Sequence, residues 1–349
     1  MGGASSPARP NLSEGNEDMV EKIQDIDKTY FDKPDSLKTY SGIELEKVYT
    51  PENSEPGDYE SQLADPGSFP YTRGVYADMF RGRYWSSREI CGYASPRATN
   101  LRLKELVKEG ESALNAIGDF ATNIGIDSDH PYSEGSVGVQ GVPICSHQDM
   151  EALTDGIPID KVSFMLTLGT QVAPASYYAL ARDRGIPLER LRGTTSNAPL
   201  NPTCIYGPPD KYYEEIPCKM RLSMDFAEFS IRNMPRWNAI NVNGYVVREG
   251  GCSAVHEMAI SFSQALAYVD ALIDRGLTVD EILPRMSFTF TCHMDFFEEI
   301  AKFRAARRLW SSLIKEKYNP REEKTCRMKY HVNTAGESLQ HSQPMNNVV

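Results

Sequence analysis

The chain has 349 residues, 40% of them hydrophobic and 24% charged, a composition that supplies a buried core and excludes a disordered or fibrous protein. Its formal net charge of −11 argues against a nucleic-acid-binding protein, which would present a basic face. The acidity is concentrated early in the chain, since residues 1–60 hold 14 Asp and Glu against 6 Lys and Arg, while the remaining residues hold 34 against 31.

The sequence also indicates where the protein works. It contains no run of 18 apolar residues that could form a membrane-spanning helix, and residues 1–11 lack the basic stretch and apolar segment of a secretory signal. The seven cysteines are scattered and form no C-x-x-C pair, which is typical of a reduced, intracellular protein. We therefore expect a cytoplasmic protein that binds neither a membrane nor nucleic acid.

The first part of the chain predicts little regular structure. Residues 1–20 are rich in Gly, Ser, Pro and Asn, a composition typical of disorder. Residues 21–68 include the turn-forming Pro51, Pro56 and Pro66 and are expected to form an extended N-terminal arm. One large domain is expected over residues 69–349.

After Arg88, apolar β-branched segments alternate with amphipathic segments of helical period. The six predicted strands are Ala113–Asp119, Val162–Gly169, Leu191–Ser196, Trp237–Val247, Met286–Cys292 and Cys326–Asn333. The six predicted helices cover residues 97–109, 148–154, 171–184, 220–232, 253–275 and 294–317. Strands separated by helices of this length indicate parallel βαβ units, and such a series favours an α/β fold of the TIM (β/α)8 barrel type over a doubly wound sheet.

Six strands are two fewer than a complete barrel contains. The pattern therefore predicts an incomplete barrel that is truncated before strands seven and eight, either as a fragment or as a subunit whose barrel is completed by another chain. No G-x-G-x-x-G follows the first predicted strand, which argues against a dinucleotide-binding fold.

Residues 69–93 combine four arginines with aromatic side chains. Guanidinium groups present paired donors to phosphate, and aromatic rings offer faces to a purine. One interpretation is a site for an anionic, nucleotide-like ligand such as the ADP part of coenzyme A. The alternative is a strip that packs against the acidic arm.

Residues 125–138 hold carboxylates and a histidine close together, at Asp127, Asp129, His130 and Glu134. Such a group could bind a metal ion. However, the stretch is rich in Gly, Ser and Pro and is more typical of a loop whose side chains cap turns. No metal site is predicted.

Three further residues, in two parts of the chain, could take part in catalysis or binding. Tyr245 lies at the end of a barrel where active sites form and is either a ligand contact or a core aromatic residue. His331 and Asn333 share one side of the last predicted strand, and His331 is either a site residue or a hydrogen-bonded core residue. Because no G-x-S-x-G, H-E-x-x-H or P-loop is present, an enzyme of this sequence would leave the difficult step to a cofactor.

Several long motifs resemble one known family. FPYTRGVYADMFRGRYW, GIDSDHP, DGIPIDKVS, LRGT, PRMSF and FFEEIAKFRAARRLW are similar to motifs in the large subunit of cobalamin-dependent acyl-CoA mutases, the methylmalonyl-CoA mutase family. The resemblance runs from about Tyr40 to Val349. It implies a TIM barrel with coenzyme A along its axis and adenosylcobalamin at its C-terminal mouth, held mainly by a small cobalamin-binding subunit. The implied reaction is a radical 1,2-migration.

The resemblance also implies roles for individual residues, and it implies that GIDSDHP is structural. The positions expected to bind coenzyme A are Tyr76, Met79, Arg83, Ser86, Arg88, Thr194, Arg285 and Ser287. The positions expected to face the cobalamin are Gly118, Gln140 and Gly336. The acyl pocket is expected to be formed by Ile90, Ile117, Ser196 and Val246, with Tyr245 as the catalytic candidate.

The chain departs from the family pattern around the acyl group. Ile90 replaces the tyrosine of methylmalonyl-CoA mutases, as in the 2-hydroxyisobutyryl-CoA mutase branch, but Ile117 replaces the aspartate of that branch. Gly118 stands where the family usually has Phe. The loop that leads to the carboxylate-binding arginine reads SNAPLNP, and the arginine position falls near Tyr206. These departures favour a bulky or branched, non-dicarboxylic acyl group over methylmalonyl-CoA.

The family's G-Y-H motif reads Gly244-Tyr245-Val246, so the histidine that donates to the thioester carbonyl is absent. Losing such a donor typically costs ~10²–10³ in rate. The expected function is nevertheless an acyl-CoA mutase, active with a cobalamin-binding subunit and a chain that completes the barrel, in a homo- or hetero-oligomer. The alternatives are a catalytically silent coenzyme A-binding assembly subunit and a TIM-barrel enzyme acting on a phosphorylated small molecule.

Overall fold

The computed structural model describes residues 37–46, 57–82, 84–169, 172–201 and 209–348, with side chains from residue 216 in the last range. The chain divides into two compact units, residues 1–56 and 57–349. In the first unit, the described residues form a short antiparallel hairpin of β1 (Leu37–Lys38) and β2 (Glu44–Leu45). The predicted disorder of residues 1–20 lies outside the described residues.

The second unit contains two sheets of parallel strands, one of five strands and one of three. Its strands are β3 (Ile90–Cys91), β4 (Ala113–Ile117), β5 (Ser163–Thr167), β6 (Arg192–Thr195), β7 (Trp237–Asn238), β8 (Ile240–Asn243), β9 (Met286–Cys292) and β10 (Tyr330–Thr334). Each pairs in parallel with its neighbour, from β3 to β7 and from β8 to β10. Only Ala239 separates β7 from β8, so these two segments occupy one position in a barrel of seven described strands. The α/β barrel class is confirmed.

The strand count and two boundaries differ from the prediction. β3 is a seventh parallel strand that the sequence analysis missed, because it has two residues and the side chain of Ile90 is exposed. The predicted strand 237–247 ends at Asn243, and the following Gly244–Glu249 segment is a helix. The predicted strand 326–333 begins later, at Tyr330, since a 3₁₀ turn occupies Glu323–Cys326.

The helices of this unit lie between the strands and include the six predicted ones, of which the 220–232 helix begins earlier, at Pro209, together with three short helices that were not predicted, at Phe120–Ile124, Gly244–Glu249 and Val279–Ile282. In chain order, the helices are α1 (Pro96–Glu109), α2 (Phe120–Ile124), α3 (His147–Thr154), α4 (Val172–Asp183), α5 (Pro209–Asn233), α6 (Gly244–Glu249), α7 (Ala254–Ile273), α8 (Val279–Ile282) and α9 (Phe296–Tyr318). Serine caps explain several starts: the Ser95 hydroxyl accepts from the amide of Ala98, and the Ser253 hydroxyl accepts from that of His256. Within the described residues, none of these helices is long and apolar enough to cross a membrane.

The apolar core lies between the strands and the helices. On β9, Phe288 and Phe290 point toward the helices, and the Phe288 ring centroid lies 4.9 Å from that of Trp310 in α9. On β4, Leu114 and Ala116 join a second apolar cluster with α1 and α3. Because side chains alternate along a strand, the residues between these point into the barrel lumen.

Candidate functional site

The lumen of the barrel is lined by small polar side chains that bond to one another across neighbouring strands. Asn241 Nδ2 donates to Ser287 Oγ over 3.0 Å, and Thr289 Oγ1 donates to Asn241 Oδ1 over 3.0 Å. Thr167 Oγ1 donates to Asn115 Oδ1 over 3.0 Å on the other side of the barrel. TIM-barrel interiors are usually packed with Val, Ile and Leu. A lumen of Ser, Thr and Asn suits a long polar ligand instead.

The amino-terminal mouth of the barrel is cationic. Arg88 lies two residues before β3, where its Nη2 donates to Ser163 Oγ over 2.9 Å and its buried Nε has no hydrogen-bond partner among the described residues. Arg285 directly precedes β9, and burial lowers the pKa of both guanidinium groups. A cation whose charged form is disfavoured by burial is stabilised by a bound anion.

Most of the predicted coenzyme A positions lie at this mouth. Ser287 is the second residue of β9, and Thr194 Oγ1 accepts from Asn238 Nδ2 over 3.1 Å. The ring of Tyr76 lies under the guanidinium of Arg327, which precedes β10, at 5.7 Å. The Met79 sulfur accepts a hydrogen bond from the Tyr76 amide over 3.4 Å. Arg83 lies outside the described residues.

A cleft of about 370 Å³ separates the two edge strands, β3 and β10. It brings together Ser86 and Arg88 from the predicted coenzyme A positions, Ile90 from the predicted acyl pocket, and Tyr245. The side chain of Ile90 faces this cleft and is 51% exposed. The geometry therefore connects the cationic mouth to the catalytic candidate.

His331 and Asn333 line the same cleft, as their shared side of β10 predicts. His331 Nε2 lies 2.6 Å from Asn333 Oδ1. Desolvation lowers the pKa of His331, the hydrogen bond to Asn333 raises it in part, and the nearby positive charge of Arg88 lowers it again, so that the net shift is downward. The imidazole is therefore neutral at pH 7 and serves as a hydrogen-bonding group rather than a cation.

Tyr245 is held on α6, close to the carboxyl-terminal mouth. Burial raises the pKa of its hydroxyl, and the Glu249 carboxylate raises it further, so the phenol keeps its proton. Glu249 accepts from the amides of Gly336 and Glu337 over 2.8 Å and 3.0 Å. A Cβ at Gly336 would lie 3.2 Å from Tyr245 Oη, so this glycine permits the close approach of the two segments.

The other two predicted cobalamin-facing residues lie together at the same mouth. Gly118 follows β4 and forms a parallel bridge with Val142, two residues after Gln140. A Cβ at Gly141 would lie 2.2 Å from the backbone of Gly118, which explains why residue 141 is glycine. The structure thus places Gly118, Gln140 and Gly336 at the carboxyl ends of the strands, opposite the cationic mouth.

The remaining acyl-pocket residues also follow the carboxyl ends of strands. Ile117 ends β4, Ser196 follows β6 with its amide donating to Leu166 O over 3.0 Å, and Val246 lies in the first turn of α6. Ile117 and Ser196 are half-buried. Of the loop that follows Ser196, residues 202–208 lie outside the described residues, including the Tyr206 position.

A buried network of charges beneath α6 was missed by sequence reasoning. Lys302 Nζ lies 2.9 Å from Glu257 Oε2 and 2.5 Å from Glu299 Oε2, and Arg248 Nη2 lies 3.6 Å from Glu299 Oε1. Two cations and two carboxylates balance, so the network joins α6, α7 and α9 without net charge. Glu and Lys spaced along a helix ordinarily predict a solvent-exposed face, and only the fold reveals the burial.

The 125–138 segment has a structural role in the described residues. His130 Nδ1 accepts from the amide of Tyr132 over 3.2 Å, and Ser133 Oγ donates to the carbonyl of Asp127 over 3.0 Å. No group of three or more His, Cys, Asp or Glu side chains in the described ranges could hold a metal ion. These hydrogen bonds shape the loop after α2.

The sequence was compared with protein families and with known proteins. The family model for methylmalonyl-CoA mutase matches residues 38–349. The chain is 36% identical over 318 residues to the probable mitochondrial methylmalonyl-CoA mutase of Caenorhabditis elegans, covering 89% of this chain and 42% of that protein. It is 35% identical over 320 residues to the 2-hydroxyisobutanoyl-CoA mutase large subunit of Aquincola tertiaricarbonis, covering 91% of this chain and 56% of that protein.

The chain spans about half the length of the curated relatives it matches. The family match covers every strand and helix of the second unit, and therefore both mouths of the barrel and the cleft. From this match and the arrangement of the barrel, the chain belongs to the methylmalonyl-CoA mutase family.

Proposed function

We propose that this chain is the barrel subunit of a cobalamin-dependent acyl-CoA mutase, which rearranges the carbon skeleton of an acyl-CoA thioester. The observation that carries the proposal is the polar lumen, in which Asn241, Ser287 and Thr289 replace the usual apolar packing. A pantetheine arm is long, thin and rich in amides, so it matches this lumen. The nucleotide phosphates match the cationic mouth, and the thioester would then reach the cleft at Tyr245.

The carboxyl-terminal mouth fits a corrin ring carried by a second subunit. Gly118 and Gly336 leave backbone without side chains there, and Phe296 and Phe297 at the start of α9 are 67% and 79% exposed. A broad apolar surface of this kind suits a protein partner bearing a flat macrocycle. When bound, adenosylcobalamin supplies the organic radical that starts the rearrangement. Gly118, Gln140 and Gly336 would face it, while a cobalamin-binding subunit would hold most of it.

Tyr245 would bind the thioester carbonyl in place of the histidine that Val246 replaces. Its hydroxyl keeps its proton, faces the cleft and has no hydrogen-bond partner in the described part of the chain. A positioned donor of this kind stabilises negative charge that develops on the carbonyl oxygen. The same cleft separates β3 from β10, so a further chain pairing with these strands would complete the barrel.

The acyl group is proposed to be bulky or branched and without a free carboxylate. Ile90 lines the cleft, and Ile117 and Val246 lie at the carboxyl ends of neighbouring segments. Among the described residues that line the cleft, Arg88 is the one Arg or Lys, and it lies at the amino-terminal side. A substrate carboxylate near Val246 would lose water without gaining a cationic partner, at a cost of several kcal/mol.

The test combines binding and turnover. The full chain is titrated with coenzyme A by calorimetry, and then incubated with a cobalamin-binding subunit, adenosylcobalamin, and isobutyryl-, 2-hydroxyisobutyryl- or methylmalonyl-CoA. Isomerised product and a cob(II)alamin signal are expected with a branched substrate, and little product with methylmalonyl-CoA. Arg88→Met should weaken coenzyme A binding about 10- to 100-fold, because it removes a charge-assisted contact.

Each outcome separates the candidates. If the chain does not bind coenzyme A, the whole proposal fails. If it binds coenzyme A tightly but no acyl-CoA is turned over or yields cob(II)alamin, the silent assembly subunit replaces the mutase as the function. Preferred turnover of methylmalonyl-CoA would contradict only the proposed acyl preference.

A further inference from the structure

Lys329 is a partly buried lysine at the amino-terminal mouth. The family resemblance assigns no ligand to this residue. It directly precedes β10, where its Nζ donates to the carbonyl of Pro284 and to Asn238 Oδ1, the latter over 3.2 Å. The same Asn238 amide donates through Nδ2 to Thr194 Oγ1 over 3.1 Å. One side-chain amide therefore links Lys329 to a predicted coenzyme A position.

The side chain lies on the lumen side of the barrel wall. Its neighbours Met328 and Tyr330 pack on the opposite side, since Met328 is buried in the core cluster and the Tyr330 ring stacks on Phe303 of α9 at 5.5 Å. Side chains alternate along extended backbone, so Lys329 shares the lumen side with His331. It therefore faces the volume in which a ligand along the barrel axis would lie.

The charge nearest to Lys329 in its electrostatic environment is a second cation, Arg285. Arg285 lies close enough for its positive charge to lower the pKa of Lys329, and burial lowers the pKa of both groups. Neither cation has a carboxylate at salt-bridge distance in the described part of the chain. The Lys329 amine donates to the carbonyl of Pro284, the residue before Arg285, so the two cations lie at neighbouring points of the mouth, where a bound phosphate would offset their repulsion.

We propose that Lys329 acts with Arg285 as a phosphate-binding pair that holds the nucleotide part of coenzyme A at the amino-terminal mouth. This inference rests on the coenzyme A ligand proposed above and adds a binding residue to it. The alternative is that Lys329 only braces the mouth through Pro284 and Asn238. The two roles differ in whether the effect of a substitution depends on the phosphates of the ligand.

The test measures the affinity of the full chain for coenzyme A, 3′-dephospho-coenzyme A and pantetheine in wild type, Lys329→Met and Lys329→Arg. Lys329→Met should weaken coenzyme A binding about 10- to 100-fold, the effect of one lost charge-assisted contact. Lys329→Arg should recover most of this loss, and pantetheine binding should be unchanged. Lys108→Met, an exposed lysine at the end of α1, is the matched control and should bind as wild type.

The three ligands distinguish the phosphates. A loss confined to coenzyme A assigns the 3′-phosphate, while an equal loss with 3′-dephospho-coenzyme A assigns the diphosphate; both support the pair. Unchanged affinity in Lys329→Met, or an equal loss with pantetheine, overturns it. If Lys329→Met does not fold, Lys329→Gln replaces it, and its affinities are compared with those of Lys329→Arg by the same criteria. If wild type fails to bind coenzyme A, the proposed function and the phosphate-binding pair are both overturned, whereas unchanged affinity in Lys329→Met overturns the pair alone.

Discussion

The two mouths of this barrel are built from opposite chemistry. At the amino-terminal mouth, Arg88, Arg285 and Lys329 are partly buried cations without carboxylate partners among the described residues. At the carboxyl-terminal mouth, Lys302 is fully buried but lies within 3 Å of two carboxylates, those of Glu257 and Glu299. The contrast separates charges that already have their partners within the fold from cations that, in the proposed function, receive theirs from a ligand.

The same contrast fits the two proposed partners. The cations of the amino-terminal mouth suit phosphate, whereas the carboxyl-terminal mouth exposes the uncharged side chains of Met294, Phe296 and Phe297, whose apolar area suits another protein. Substitutions at one mouth should therefore leave the function of the other intact. This independence can be tested from both ends.

The largest expected effect is on stability beneath the carboxyl-terminal mouth. Lys302→Met leaves the carboxylates of Glu257 and Glu299 buried without their cation, and should lower the free energy of unfolding by about 3–5 kcal/mol. Urea denaturation measures this. Lys315→Met, an exposed residue of the same helix, is the control and should change stability little. A small effect in Lys302→Met would show that this network is not the internal charge pairing described above.

The sequence alone predicted most of the helices and strands of the barrel. The six helices were placed because amphipathic period and serine caps such as Ser95 and Ser253 are local signals. β3 was missed because a strand of two residues shows no periodic pattern. α6 was missed because Tyr245, Val246 and Val247 continue the apolar run of the strand before them. The pairing of Glu257 with Lys302 joins two helices distant in sequence, so no local signal could reveal it.

A charge reversal at the amino-terminal mouth should have the next largest effect. Arg285→Glu places a carboxylate beside the proposed phosphate site and should weaken coenzyme A binding by about 100-fold or more, since like charges in contact cost several kcal/mol. Calorimetry measures the affinity. Docking of a cobalamin-binding subunit should be unchanged, and a parallel loss of that docking would contradict the independence of the two mouths.

The reciprocal substitution tests the apolar patch. Phe297→Glu should weaken docking of a cobalamin-binding subunit by about 2 kcal/mol, the cost typical of losing one aromatic anchor, without changing coenzyme A affinity. Surface plasmon resonance with the immobilised chain measures docking. Leu101→Glu, on the exposed side of α1, provides a matched apolar-to-acidic control. Equal docking by the Phe297 and Leu101 variants would show that the exposed side chains of Met294, Phe296 and Phe297 are not the docking surface.

The smallest effect should be a pH dependence that belongs to the amino-terminal mouth alone. Burial and the charge of Arg285 lower the pKa of Lys329 to about 8, and the other groups that contact its amine, Asn238 and the Pro284 carbonyl, do not titrate. The phosphates are ionised by pH 7, so between pH 7 and pH 9 only the lysine loses charge, and its protonated fraction falls about tenfold. Because a bound phosphate favours the charged amine, coenzyme A affinity should fall about tenfold over this interval.

Lys329→Arg makes this pH dependence specific, since a guanidinium stays charged up to pH 9 and the affinity should then be nearly constant. Pantetheine has no phosphate, and its binding should be flat with pH in both proteins. A wild-type affinity that does not change between pH 7 and pH 9 would show that the Lys329 amine stays charged or that the phosphate lies elsewhere. Since docking at the apolar mouth involves no group of this kind, the titration distinguishes the two mouths without altering the fold.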